Sequence, residues 1–268
     1  GNEYNYSGTS RIPVSVFEQS NGDWNLATEL TERVYAESMA IAGETAVLRT
    51  GDSDGLGDVF ERDNGEWGQS QTLSADDLDD GRVVRSVGTD GDTILVGAPP
   101  KAGSKDRRAK SGVVHVFERS NGVWSHQTTL SGATGTDHFG WSVSVEDGQA
   151  LIGDYSNDTA YVFRFADGRW SREQMYTATS GDSDQYFGDT VVMDGTTLLV
   201  GAPHGQFGDS VGAVYELDQP SSTKDPGGTY FTAPDSSTQF GGALATRSET
   251  TVVAGRDSKE GSVYIYEQ

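Results

Sequence analysis

The sequence predicts an all-β fold built from repeated four-stranded antiparallel units, and three observations carry that prediction. Four turns of one type recur: Asn21-Gly22-Asp23-Trp24, Asn64-Gly65-Glu66-Trp67, Asn121-Gly122-Val123-Trp124 and Asp167-Gly168-Arg169-Trp170, each after an aromatic-rich strand and before a polar alternating one. Phe139-Gly140, Phe187-Gly188 and Phe240-Gly241 open later segments, while Gly97-Ala98-Pro99 and Gly201-Ala202-Pro203 close Val/Leu-rich runs. Glycine takes 35 of 268 positions and only 34% of the chain is hydrophobic, which suits many short strands and tight turns rather than long helices. Repetition at this scale settles architecture before any single residue is interpreted.

Superimposing the repeats defines each element in order. A first strand reads Ser142 to Val145, Thr190 to Met193 and Gly242 to Ala245, with weaker versions at Ser38 to Ile41 and Val84 to Val87. A tight turn follows at Ala42-Gly43, Asp90-Gly91, Asp147-Gly148 or Asp194-Gly195. The second strand is apolar on both faces, as in Thr93 to Val96 and Thr196 to Val200, which is expected of a strand packed inside a stack of sheets. The third strand is the clearest: Val14 to Phe17, Asp58 to Phe60, Val113 to Phe117, Ala160 to Phe163, Ala213 to Glu216 and Ser262 to Tyr266. Asn-Gly and Asp-Gly supply the positive φ angles of a type I′ hairpin turn, so a fourth strand starts near each Trp, with Tyr230 in that place in the fourth unit. One such unit cannot bury both faces alone, so neighbours must stack.

Phe-Gly, the Asp-Gly turn, Gly-Ala-Pro, the Val-Tyr-Val-Phe strand and the Asn-Gly-x-Trp turn, in that order, resemble FG-GAP repeats, the blade unit of integrin-α-like β-propellers. The resemblance covers nearly all of residues 11–268 and implies a propeller of four-stranded antiparallel blades. The sequence offers five first, five second, six third and five fourth strands. The last unit lacks a fourth strand and the amino terminus has a third and fourth without a first or second. We therefore expect five blades, with six as the alternative, and a ring closed by amino-terminal strands that complete the last blade. Residues 1–10 read as a tail and 11–268 as one domain, with units near 35–78, 83–133, 139–181, 187–234 and 240–268 plus 11–30.

In such a blade the loops between strands one and two, and between three and four, share one face, and here these are minimal turns. The opposite face carries the longer loops, so a binding site is expected there. Asp52, Asp54 and Asp58 are spaced so that a Gly-rich turn could converge three carboxylates on calcium, and Asp182, Asp184 and Asp189, or Asp154, Asn157 and Asp158, are looser versions; solvated turn residues are the competing reading. Integrin-like calcium loops resemble Asp-x-Asp-x-Asp-Gly-x-x-Asp between strands one and two, where this chain has only short turns. Lys105, Arg107 and Arg108 lie in a cationic stretch, 101–110, suited to a carboxylate- or sulfate-bearing glycan or an acidic protein surface. Trp24, Trp67, Trp124 and Trp170 recur at one blade position and read as packing residues, whereas Trp141 follows Phe139-Gly140 at the channel mouth. His138 and His204 are further candidates on the long-loop face.

Net charge is −22, from 41 acidic against 19 basic residues, which opposes binding to nucleic acid or anionic membranes through a general basic surface. There is no eighteen-residue apolar run and no basic-then-apolar amino terminus, so neither a membrane span nor an uncleaved signal peptide is expected. No Cys is present, which removes disulfides and thiol chemistry, and no Gly-x-Ser-x-Gly elbow, phosphate loop or paired His spacing marks a catalytic centre. The expectation is a non-enzymatic, extracellular or surface adhesion module that binds a protein or matrix ligand through the long-loop face, with calcium ordering some loops. The alternatives are a lectin, because integrin-like propellers resemble some multivalent sugar-binding proteins, and an accessory propeller of a secreted enzyme.

Overall fold

The computed structural model describes residues 13–31, 36–50, 55–75, 82–101, 111–133, 138–178, 186–207, 211–217, 230–234, 239–256 and 261–267. An amino-terminal hairpin, β1 (Ser15–Ser20) and β2 (Asp23–Glu29), precedes five sheets. Blade 1 contains β3 (Ala36–Ala42), β4 (Thr45–Thr50), β5 (Gly57–Asp63) and β6 (Glu66–Leu73). Blade 2 contains β7 (Ser86–Thr89), β8 (Thr93–Ala98), β9 (Val113–Ser120) and β10 (Val123–Ser131), and blade 3 contains β11 (Ser142–Glu146), β12 (Gln149–Asp154), β13 (Thr159–Ala166) and β14 (Arg169–Thr177). Blade 4 follows with β15 (Thr190–Asp194), β16 (Thr197–Phe207), β17 (Val211–Leu217) and β18 (Tyr230–Thr232), and blade 5 with β19 (Ala243–Arg247), β20 (Thr250–Arg256) and β21 (Gly261–Glu267). Every sheet is antiparallel in simple sequence order. The first strands β3, β7, β11, β15 and β19 meet in succession, which arranges the sheets as blades of a propeller ring.

The hairpin tips form as their residues dictate. Asn21, Asn64, Asn121 and Asp167 all adopt φ between 51° and 54°, each followed by a Gly with positive φ, the pair of angles that a type I′ turn requires. Between successive blades the second and third strands interdigitate. Leu95, Val114, Val116 and Leu130 of blade 2 pack on Val145, Ala150, Ile152, Tyr161 and Phe163 of blade 3, and equivalent clusters join the other neighbours. Trp124 is buried between blades 1 and 2, while Trp67 and Trp170 are half-buried at the same position; Trp24 is exposed instead.

Phe-Gly and the glycine of Gly-Ala-Pro turn out to be two halves of one joint. Ser142, the first residue of β11, pairs across the sheet with Gly153, and its hydroxyl donates to the carbonyl of Gly188 in the next blade at 2.9 Å. Ser86 opposite Gly97 donates to Gly140, and Thr190 opposite Gly201 donates to Gly241, in the same way. A Cβ added at Gly97, Gly153 or Gly201 would collide with that carbonyl. Phe139, Phe187 and Phe240 anchor the turn in the core with no exposed surface.

Among the described residues the expected pairing of the amino-terminal hairpin with the last blade is not formed. Among the described residues β1 and β2 form a separate two-stranded sheet, and β19, β20 and β21 a three-stranded one. Val14 and Leu30 instead pack against Ala46, Leu48, Phe60 and Trp67 of blade 1. The physical reason is burial: those blade 1 side chains need a cover of the kind that β9 and β10 give to blade 3, and the hairpin supplies its outer half.

Candidate functional site

The three Phe-Gly turns deliver the site. In each, a backbone N–H closes onto a carbonyl three residues earlier: Trp141 to His138, Asp189 to Tyr186 and Gly242 to Gln239. With Phe in the core, the residues that flank Phe-Gly are left at the long-loop face, close to the first strands that meet around the ring. Tyr186 and Gln239 take φ of 52° and 57° to make the approach. Trp141, Tyr155, Tyr186, Asp189, Pro203, Gln239 and Gly242 thereby enclose an open pocket of about 360 Å³, drawn from blades 3, 4 and 5.

Aromatic contacts hold one wall. Trp141 and Tyr155 meet edge to face with centroids 4.5 Å apart, Tyr155 and Tyr186 at 5.3 Å, and His138 stands 4.9 Å from Tyr155. The Arg85 guanidinium lies 4.3 Å above the Trp141 ring, and the indole N–H donates to Asp189 Oδ1 at 3.0 Å. Arg85, Trp141 and Asp189 each immediately precede the first strand of their blades, so one repeat position in three neighbours forms a cation, aromatic and carboxylate chain.

Tyr155 rides on a short 3-10 turn, Tyr155–Asn157, that Asp154 anchors. Asp154 is fully buried and accepts from the His138 backbone N–H, the Ser156 hydroxyl and the Asn157 amide at 2.8–3.0 Å. Asp158 accepts from the Phe187 N–H at 3.2 Å, tying the same loop to the next Phe-Gly turn. These carboxylates build the scaffold of the pocket. Burial pushes the His138 pKa down, against the opposing pull of Asp154, so the ring is neutral at neutral pH. Burial, assisted by Tyr186 and Asp189 and opposed by Arg85, raises the Tyr155 pKa and keeps its hydroxyl a donor.

The sequence candidates distribute unevenly over this geometry. Trp141 and Asp189 come together in the pocket, Asp189 as partner of the indole. Asp58 lies on the blade 1 surface, where Thr72 and Gln69 donate to its Oδ1 at 2.7 and 3.0 Å. Asp52, Asp54, Asp182, Asp184, Lys105, Arg107 and Arg108 lie outside the described residues, and His204 falls within β16 without a described side chain. Among the described residues no three His, Asp or Glu side chains converge in a set that could hold a metal ion, and the described acids proposed for calcium are engaged by protein donors. Sequence reasoning missed Arg85, Tyr155, Tyr186 and Gln239; their offsets from the first strand and from Phe-Gly were the available signal.

Comparison with known proteins agrees with this architecture. Residues 170–217 match the family model described as FG-GAP repeat, a span from β14 to the end of β17. The fold is similar to that of a solved structure described as YCF48 bound to D1 peptide, with a TM-score of 0.53 and 11% identity over 96% of this chain and 73% of that one. At that identity the likeness concerns the fold. No curated protein matches the chain.

Proposed function

We propose that this FG-GAP-repeat propeller is a non-catalytic binding module that grips a segment of a protein ligand at the long-loop face, in the pocket of Trp141, Tyr155, Tyr186 and Asp189. The observation that carries the reading is the convergence of three Phe-Gly turns on one pocket that offers apolar walls, a carboxylate, a neighbouring guanidinium and the protonated hydroxyl of Tyr155. That mixture suits a peptide, whose side chains and amides need apolar contact and both donors and acceptors. The similar fold of YCF48, described with a bound peptide, supports the same class of ligand. Sugar stacking on the indole is less well served, because Arg85 already lies over the Trp141 ring and Tyr155 abuts it.

The extracellular or cell-surface setting belongs to this proposal and draws on the net charge of −22, which is compatible with an exposed, soluble surface. Calcium enters it only through Asp52, Asp54, Asp182 and Asp184; a melting temperature and ligand affinity unchanged by chelator would remove it. The deciding experiment pans a displayed random-peptide library and a glycan array against the wild type and Trp141→Ala in parallel. Peptides retained by the wild type and lost by the variant support the reading. Capture of a defined glycan without peptide enrichment refutes it.

A further inference from the structure

Among the described residues one blade is incomplete, and the repeat itself shows what would complete it. Met39 and Ile41 of β3 pair with Leu48 and Ala46, as Val143 and Val145 of β11 pair with Ile152 and Ala150. Val145 is 7% exposed beneath Leu95 of the preceding blade, whereas Met39 and Ile41 are 60% and 59% exposed. Their equivalents in an internal blade are covered by the inner half of the blade before.

The hairpin β1–β2 is the outer half of that preceding blade. Its register shift between Val16 and Phe17 falls where the third strands of blades 1 and 3 shift, between Val59 and Phe60 and between Val162 and Phe163. Phe17 therefore matches Phe60 and Phe163, and β1 matches third strands that have a partner on each side. Among the described residues β1 pairs with β2 alone. Phe17 is 56% exposed, although Phe163 is buried.

We propose that the open edge of β1 and the Met39–Ile41 face receive a two-stranded antiparallel hairpin with alternating apolar side chains, from outside residues 1–268, as the inner half of a sixth blade. Its second strand would hydrogen-bond to β1 and place a Leu95-like side chain over Ile41. A second copy of this chain fits less well. Its first and second strands already form the centres of their own blades, and two chains of charge −22 repel. The inference is independent of the peptide pocket, which blades 3 to 5 build on their own.

The probe is a synthetic peptide of residues 138–154, the inner half of blade 3, added to the intact chain and followed by native mass spectrometry and by hydrogen exchange. A saturable one-to-one complex with slowed exchange at Ser15–Ser20 is expected, weakened at least about tenfold by Ile41→Asp, a change at an exposed site that leaves the fold intact. Because a free hairpin can aggregate, the same sequence is also fused after Gln268 through a Gly/Ser linker. Unchanged exchange at β1 in the fusion, equal binding by Ile41→Asp, or self-association of the 28.6 kDa chain that protects this face would each overturn the proposal.

Discussion

Gly153→Ala is the sharpest test of the joint between blades. The added methyl group would sit inside hard contact of the Gly188 carbonyl oxygen and the Ser142 hydroxyl, both part of the link from blade 3 to blade 4. Relief requires the Phe-Gly turn to retreat by about 1 Å, and overpacking of this kind costs about 1–3 kcal/mol. Retreat also lengthens the hydrogen bond from Ser142 to Gly188, worth about 1 kcal/mol. Together the change should destabilise the fold by about 2–4 kcal/mol, a fall in melting temperature of roughly 5–15 °C for a chain of this size. Denaturant titration and calorimetry read the effect, with Gly68→Ala as the control, since a methyl group there meets nothing and its backbone has no positive φ. Ser142→Ala in the Gly153→Ala background should add little, because the hydrogen bond is already compromised. A Gly153→Ala melting temperature within about 2 °C of the wild type would refute the joint as the element that spaces the blades.

Glu61→Ala should cost about 1–3 kcal/mol by urea titration, because it strands the buried Trp124 indole N–H, which donates to Glu61 at 3.2 Å, and breaks the ion pair with Arg119. As pH falls below the ordinary histidine value of about 6.5, the unfolded chain takes up a proton at His138 that the folded chain, with its lowered pKa, resists. Stability contributed by the neutral ring is therefore full above that value and declines below it, and His138→Gln should flatten this segment of the stability profile. Asp154→Ala should destabilise the protein by about 3 kcal/mol through three orphaned donors and loosen Tyr155, with Asp154→Asn milder. A calcium-dependent rise in melting temperature that Asp154→Asn abolishes would contradict this structural role. Trp141→Phe removes the indole N–H that Asp189 accepts; peptide affinity should fall about tenfold with little change in melting temperature, measured by calorimetric titration with a peptide enriched by panning.

Hairpin tips were legible because Asn-Gly states its own φ angles, and blade order was legible because Phe-Gly and Gly-Ala-Pro mark, in sequence, the start and the finish of the same antiparallel pair of strands. The placement of β1 and β2 was not. An apolar alternation shows that Val14 and Val16 seek a partner, but strand-edge pairing with β21 and face packing on blade 1 satisfy the same pattern. Trp141 stands out by its place directly after Phe139-Gly140, yet Tyr186 and Gln239, at the equivalent of His138, share no chemistry with it, so no residue-type search joins them. Asp154 shows a second ambiguity. Its spacing to Asn157 and Asp158 suits a cation loop and a turn anchor alike, and in the structure its buried carboxylate accepts three hydrogen bonds that hold a turn.

The joint of Ser142, Gly153 and Gly188 also bears on how such rings can be recombined. Because the hydroxyl donor and its opposing glycine belong to one sheet and the acceptor carbonyl to the next, a cassette cut at sheet boundaries carries half of two joints and completes neither alone. A transplant succeeds only into a recipient with a hydroxyl and glycine at its leading end and a Phe-Gly turn at its trailing end. Since backbone oxygens set the pitch from sheet to sheet, the apolar side chains between them can diverge in sequence without altering it. Interchangeability thus resides in a few small residues at the seams, and individuality in the blades they connect.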